Sequence, residues 1–338
     1  MRLTRELIYG LDKGASERVF REYAKRLDMS RTPTLREVPL EFLTQTVGVD
    51  DDLVRAKLVD DVIRGAEEDE NLWMAMCKVV DMTDPQTRQP LITPDDFKLS
   101  PWTQGTRPRS SGGSFFGFEF DCRMDKGLYA FEVGLTSNQI RDAGYDALEE
   151  ALVAAGQAVG RHLVKAIAVK YIADVDTDMS KALATWDPRA SGDDVYGAMV
   201  GMEAGLANLG FNADLILVNP TEGADCAVLD TFIRDDYRYV AKGIPEGIHS
   251  IGALYGRIPI VRHRDITATN VIMAETRKAM ALGIMEGGPK IENFKSIEDG
   301  MQGAVVSVQY ELKSGKNAAG PKGATKPTDM AWAVCTGA

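Results

Sequence analysis

The sequence predicts an α+β fold, and three observations carry that expectation. An apolar stripe at helical spacing runs for about 26 residues from Asp146 to Tyr171. Short strand-like segments lie elsewhere, the clearest being "GFNADLILVNP" at 210–220, a Leu-Ile-Leu-Val run that meets an Asn-Pro stop. The first 75 residues, by contrast, are polar and broken by Pro33 and Pro39, the composition of an arm rather than a core.

Within that arm, "SERVFREYAKRL" and "DDLVRAKLVDDVIRGAEEDENLW" read as helical pieces. Basic residues dominate 2–36 and acidic residues dominate 50–70; solvated helix faces and an ionic contact with a neighbouring subunit both account for this reversal. Next comes the apolar segment "WMAMCKVV", then about 33 residues rich in Pro, Ser, Gly and Thr, from Asp81 to Gly113. A loop of that length inside a compact domain leaves its backbone polar groups without partners. It is expected to be disordered or to be ordered by another chain.

"SFFGFEFDCRMDKGLYAFEVGLT" then alternates on either side of Asp125-Lys126-Gly127, which predicts a β-hairpin with Phe116, Phe118 and Phe120 on one face. "TSNQIRDA" predicts a short helix with Thr136 or Ser137 as N-cap. The long helix places Leu148, Leu152, Ala155, Val159, Leu163, Ala166 and Ile167 on one side and would be roughly 40 Å long. Its Gly156-x-x-x-Gly160 pair reads as a close-packing site. A second helix repeats Gly197, Gly201 and Gly205 every four residues, a smooth face for close packing, and stops at Gly210. "IPIVRHRDI" and "NVIMAETRKAMALGIME" are strand-like, and the chain closes on "AVVSVQYELKSG" and "DMAWAVCTGA", read as a final hairpin.

Composition excludes several classes of function. At 338 residues there is room for two domains. No window approaches the roughly 18 consecutive apolar residues of a membrane span, and the N-terminus lacks the apolar core of a signal peptide. A cytoplasmic protein without a membrane partner is expected. A net charge of -11 disfavours a main task of gripping nucleic acid, since phosphate contacts need a cationic face. The four cysteines are scattered without a CxxC, and three histidines form no cluster, so neither a disulfide framework nor a zinc site is expected. His162 and His263 read as structural.

Chemistry-bearing motifs are absent as well. Gly315-Lys316 is followed by Asn317 and does not complete a phosphate loop, and there is no GxGxxG and no GxSxG. Asp174, Asp176 and Asp178 have the alternate spacing of a calcium loop, but Met179 stands where the turn glycine belongs and Thr185 where the bidentate glutamate belongs. Cys226 has no histidine near it in sequence, and Glu222, Asp225 and Asp230 read as an acidic surface turn. No catalytic residue, cofactor or metal is assigned, and a non-enzymatic role is expected.

Four segments in a fixed order resemble a known family. They are "SPWTQGTRPRSSGGSFFGFEFDCRMDKGLYAFEVGLTSNQIRDAG", "YDALEEALVAAGQAVGRHLVKAIAVKYI", "VYGAMVGMEAGLANLGFNADLILVNPTEGADCAVL" and "IHSIGALYGRIPIVRHRDI". The order resembles that of the major capsid protein of tailed double-stranded DNA phages and related viruses, the Hong Kong 97-type fold, over roughly residues 76–338. The resemblance implies an N-terminal arm (1–75), an extended loop with flanking strands (76–122), a peripheral domain with a long spine helix (123–185), an axial domain (186–275) and a return to the peripheral domain (276–338).

It further implies self-assembly into the hexamers and pentamers of an icosahedral shell around DNA that is enclosed without sequence-specific binding. Portal, scaffolding and cement proteins would be the other partners, and the virion the location, assembled in the host cytoplasm. In the extended loop Phe97, Lys98, Trp102, Arg107 and Arg109 are the expected intersubunit contacts, and Leu148, Leu152, Val159 and Leu163 the expected spine-helix core. Some members cross-link a loop lysine to a neighbour's asparagine; Lys98 and Asn293 are the candidates here, without the surrounding motif. Some members also lose an N-terminal scaffolding domain, and the short arm beginning at Met1 implies no such cleavage. The alternatives are an encapsulin-type nanocompartment shell, and an α/β enzyme with its site at the end of the 210–220 strand.

Overall fold

The computed structural model describes residues 21, 24–25, 72–91, 116–123, 127–136, 146–175, 180–183, 195–221, 223–224, 250–255, 257–267, 270–285, 290–296, 301–315 and 331–337. Helix α1 (Leu72–Met76) leads into β1 (Lys78–Met82), β2 (Gln86–Leu91), β3 (Phe116–Asp121) and β4 (Leu128–Thr136). Helix α2 (Asp146–Asp174) is followed by β5 (Ser180–Leu183), α3 (Val195–Asn208) and β6 (Leu215–Val218). The remaining elements are β7 (Ser250–Leu254), β8 (Ile258–Arg262), β9 (Asn270–Ala274), α4 (Thr276–Ala279), β10 (Met280–Met285), β11 (Lys290–Ser296), β12 (Met301–Ser314) and β13 (Trp332–Gly337). Mixed helices and strands in this order make the α+β class that the periodicities predict.

The chain divides into two compact units. In one, the described residues belong to Asp125–Arg161 and Met285–Gln309. There the first part of β12 lies between β11 and β4, antiparallel to both, with Val305 opposite Glu292 on one side and Glu132 on the other. In the other unit, β6 is an inner strand of a six-stranded sheet of order β5-β13-β9-β6-β8-β7. All four β6 residues, all five of β9 and the first four of β8 are buried, so these strands are continuously buried rather than alternating. β5 and β13 come from the segments 123–185 and 276–338, so this sheet is assembled from three stretches of sequence.

Helix α2 carries the largest buried stripe. Leu152, Ala155, Gly156, Val159, Gly160, Leu163, Val164, Ile167, Ala168 and Tyr171 are buried, at alternating steps of three and one. That spacing keeps one face of a 3.6-residue helix turned inward. Gly156 and Gly160 lie on the buried face; Ala166 is only half-buried and flanks the stripe. By length and composition α2 could cross a membrane, yet half of its apolar window is buried inside the protein, as in a core helix.

Near the C-terminus of α2, the Tyr171 hydroxyl donates to the Met76 carbonyl at 2.6 Å and Trp332 Nε1 donates to the Tyr171 carbonyl at 3.0 Å. The two rings meet edge to face with centroids 5.8 Å apart, and both side chains are fully buried. Beside them Asp174 accepts from Ser314 Oγ at 2.5 Å and pairs with Lys170 at 3.0 Å. The first carboxylate of the calcium-like spacing is thus used within the fold.

Several local expectations are corrected. The turn at Asp125-Lys126-Gly127 does not join a hairpin: β3 pairs with β2, and β4 pairs with β12. Gly127 does adopt the left-handed φ of 68° that a turn glycine supplies, but each strand finds its partner elsewhere. β1 and β2 also occupy part of the segment read as loop. β2, "QTRQPL", is polar and carries Pro90, yet it forms a two-stranded ribbon with β3. The C-terminal segments are no hairpin either. β13 is an inner strand between β5 and β9, where the burial of Trp332, Ala333, Val334 and Cys335 is satisfied.

The glycine face of α3 is not where that helix packs. Met199, Met202 and Leu206 are buried, whereas Gly197, Gly201 and Gly205 are half-buried and a Cβ on Gly205 would meet nothing within 4 Å. Gly210 does end the helix as expected. With φ of 79°, it lets its own N–H reach Ala207 O at 3.0 Å and the Phe211 N–H reach Leu206 O at 3.0 Å, a Schellman closure.

Replacing Tyr171 by Phe deletes only the hydroxyl and leaves the buried Met76 carbonyl without its donor. Chemical denaturation should then show a loss of about 1–3 kcal/mol. An unchanged midpoint and slope would mean that the junction contributes nothing to stability.

Candidate functional site

The end of β6 is where an α/β enzyme would present its chemistry, so its geometry decides between a reactive site and a structural joint. Pro220 and Thr221 are helical, and Asn219 stands before them as the N-cap. Asn219 Oδ1 accepts from the Thr221 N–H at 3.0 Å, and the Gly223 N–H reaches the Asn219 carbonyl at 2.8 Å. Pro220 sits at the first helical position, where its missing N–H costs nothing. The other half of the Asn219 amide donates to the Ile266 carbonyl at 2.7 Å. One side chain thus starts a helix and ties down the turn after β8.

That turn is internally bonded too. The His263 N–H donates to Val218 O at 2.9 Å, extending the β6–β8 pairing by one residue. His263 is buried, and its Nδ1 accepts the Asp265 N–H at 3.1 Å. The second Asp265 oxygen, Oδ2, is a buried atom without a hydrogen bond, 3.7 Å from His263 Nδ1 and 3.9 Å from Arg264 Nε.

The opposite end of β6 is fastened by carboxylates. Asp214 Oδ1 accepts from the Thr276 N–H at 2.9 Å and Oδ2 from its hydroxyl at 3.1 Å. Glu275 accepts from the Asn212 N–H at 3.0 Å and pairs with Lys278 at 2.6 Å. Desolvation by burial holds the Asp214 carboxyl above its ordinary range, against the lowering effect of the two Thr276 hydrogen bonds. Asn219, Asp214 and Glu275 thus each serve a turn or a helix start, and Glu222, Asp225 and Asp230 lie outside the described residues.

The described thiols, of Cys77, Cys122 and Cys335, are buried and in no disulfide. Burial pushes the Cys122 thiol up to about 11, with Glu311 and Asp121 adding to the rise, and burial raises Cys77 further. Thiols held protonated at neutral pH are poor nucleophiles. Cys226 lies outside the described residues. Among the described residues no group of three His, Cys, Asp or Glu is placed to hold a metal. His162, on α2, is 2.8 Å from the Tyr310 hydroxyl through Nε2, with the two rings edge to face.

Of the expected spine-helix core, Leu152, Val159 and Leu163 are buried. Leu148 lies in the first turn of α2, but its side chain is outside the described set. Phe97, Lys98, Trp102, Arg107 and Arg109 all lie outside the described residues, as do the predicted helix after Ser137 and most of the arm. Asn293 is in β11 opposite Ala304, and its candidate partner Lys98 is not described.

The strands that flank the extended loop are described, and sequence reasoning missed how they are rooted. Asp121, the last residue of β3, donates its N–H to Glu311 Oε2 at 2.5 Å, and the next amide, Cys122, donates to Pro85 O at 2.9 Å. Glu311 Oε1 pairs with Lys313 at 2.7 Å. Phe118 and Phe120 are buried. The one signal in the sequence was Gly283 within a strand pattern, which marks a close approach of backbone.

No protein-family model matches this chain, and no curated protein matches it. Solved structures do. A phage-related protein from Bordetella bronchiseptica RB50 superposes with a TM-score of 0.54 at 12% identity, covering 82% of this chain and 96% of that one. The capsid of the cyanophage P-SCSP1u gives 0.53 at 11% identity over 80% and 89%. The SrpI encapsulin from Synechococcus elongatus PCC 7942 gives 0.51 at 11% over 79% and 87%. The chain therefore has the Hong Kong 97-type α+β fold.

Two measurements test the reading of the β6 ends as structural. Asn219→Ala removes the N-cap and the tether together and should cost about 1–2 kcal/mol in denaturant unfolding, whereas Asn219→Asp keeps the acceptor and should cost less. For Asp214 the raised folded pKa fixes the sign. Its contribution is fully present below the ordinary carboxylate value and declines as pH rises through the raised one. Asp214→Asn stays neutral, so its unfolding free energy should change less between about pH 4 and pH 7 than that of the parent chain. A parallel pH profile for both chains would contradict this.

Proposed function

We propose that this chain, which has the Hong Kong 97-type fold, is a major capsid protein, a structural subunit whose copies self-assemble into a closed shell. The observation that carries the reading is a fold shared, over about four fifths of the chain, with a phage capsid and an encapsulin. In detail, the chain forms the hexamers and pentamers of an icosahedral shell enclosing double-stranded DNA, with no enzymatic role. The net charge of -11 suits a container whose wall need not hold DNA tightly. Its location is the virion, after assembly in the host cytoplasm, with a portal and scaffolding or cement proteins as further partners.

On this reading α2 is the spine helix of the peripheral domain (123–185, rejoined by 276–338), and β6 to β9 belong to the axial domain (186–275). Residues 1–75 are the arm. Within 76–122, Phe97, Lys98, Trp102, Arg107 and Arg109 contact a neighbouring subunit, where a Pro- and Gly-rich stretch gains the hydrogen bonds it cannot make alone.

A second reading has its own support: the encapsulin match favours a nanocompartment that encloses a protein cargo. Electron microscopy of purified particles separates the two, since a small particle filled with protein would favour the nanocompartment. Asn219, at the end of β6 where the enzyme alternative would place its site, is engaged in helix capping and in the turn after β8.

Removing residues 92–115 tests the intersubunit role of the loop. The deletion spares β2 and β3, so circular dichroism should be unchanged while shells are lost or become fragile in electron micrographs. Shells of normal stability would show that the loop is not an assembly element.

A further inference from the structure

We propose that the root of the β2–β3 ribbon is held on β10 and β12 by a two-point mount, and that this mount aims the intervening residues at a neighbouring subunit. Its points are the Phe120 ring lying on Gly283 and the Glu311 carboxylate binding the Asp121 amide. The second clause rests on the shell reading above; the first stands on geometry alone.

Gly283 of β10 is directly opposite Glu311 of β12 in the antiparallel register. A Cβ built on Gly283 would lie 2.7 Å from Phe120 Cδ1, 2.9 Å from Phe120 Cγ and 2.8 Å from Met82 Sδ. These separations are well inside carbon–carbon contact, so the aromatic ring rests on bare backbone, and any side chain at 283 displaces it. The neighbouring residue supplies the second point, with Asp121 N–H donating to Glu311 Oε2 at 2.5 Å while Lys313 holds the other oxygen at 2.7 Å. A charged acceptor makes this one of the stronger classes of hydrogen bond. Consecutive residues of β3 are thus fixed to facing residues of one strand pair, which removes both sliding and rotation.

Beyond its root the ribbon keeps a buried side chain, Phe118. β2 and β3 form a two-stranded sheet from the Gln86–Asp121 pair to the Leu91–Phe116 pair. An ion pair there, Arg88 with Glu119, is exposed at 3.5 Å and adds little. A lone two-stranded ribbon is marginal in water. Its direction is therefore set by its buried and bonded points, and among these Gly283 and Glu311 act as positioning residues at the root.

Hydrogen–deuterium exchange of the full chain, read on peptides covering 116–122, together with particle yield by electron microscopy, tests this. Gly283→Ala and Glu311→Ala should each speed exchange there by about ten-fold, keep the far-ultraviolet dichroism and lower the shell yield. Glu311→Gln, which retains an oxygen acceptor, should recover both readouts. Unchanged exchange in the two single variants overturns the mount; a loosened root with normal shell yield overturns its role in assembly. Should Gly283→Ala prove insoluble, the Glu311 pair of variants decides alone. If the parent chain forms no shells, the shell reading fails by itself, and the exchange data still decide whether the mount exists.

Discussion

The rest of the second unit depends on the junction at Tyr171. A helix of 29 residues has to be fixed both along its axis and about it, and apolar packing alone leaves both loosely specified, because dispersion contacts are non-directional. The hydroxyl of Tyr171 bound to Met76 and its carbonyl bound to Trp332 supply direction. They join α2 to α1 on one side and to β13 on the other. Through β13 the junction reaches β9 and β6, whose pairing continues across the six-stranded sheet. Both hydrogen bonds are buried, where an unmade one is costly, so α2 and β13 are held in one register.

From this junction the unit extends by short polar fastenings at strand ends. Asp214 and Glu275 hold the start of β6 and the end of β9; Asn219 and His263 hold the far end of β6 and the turn after β8. Glu311 and Gly283 hold the root of the β2–β3 ribbon. Each is a side chain or bare backbone that meets a partner more than forty residues away or closes a tight turn. Among the described residues these polar groups are distributed one or two to a joint.

Elements defined by local periodicity were legible in the sequence. The α2 stripe follows from 3.6-residue spacing, and β6 from four apolar residues between a left-handed glycine and Asn-Pro. Asn219-Pro220 was legible as the stop after that strand, though not as an immediate helix start. The second hydrogen bond of Asn219, to Ile266, was not legible either, because no local pattern records a partner 47 residues away. The same cause explains the errors over strand pairing. The Asp125-Lys126-Gly127 turn is real in its glycine conformation, but turn chemistry states that the chain bends and not which strands then pair. β2 was hidden by its polar sequence and by Pro90, since the half-buried Thr87 and Gln89 are not the apolar residues whose alternation reveals a strand. In α3 the glycine spacing invited a packing face, whereas the larger apolar volume of Met199, Met202 and Leu206 took the inward side.

The central claim is that copies of this chain close into shells, and sedimentation velocity of the purified full-length chain over a rising concentration series tests it most directly. The account predicts cooperative conversion of slow-sedimenting subunits or capsomers into one fast boundary of closed particles, with little in between. A single small oligomer, unchanged in mass up to the highest concentration, would contradict it.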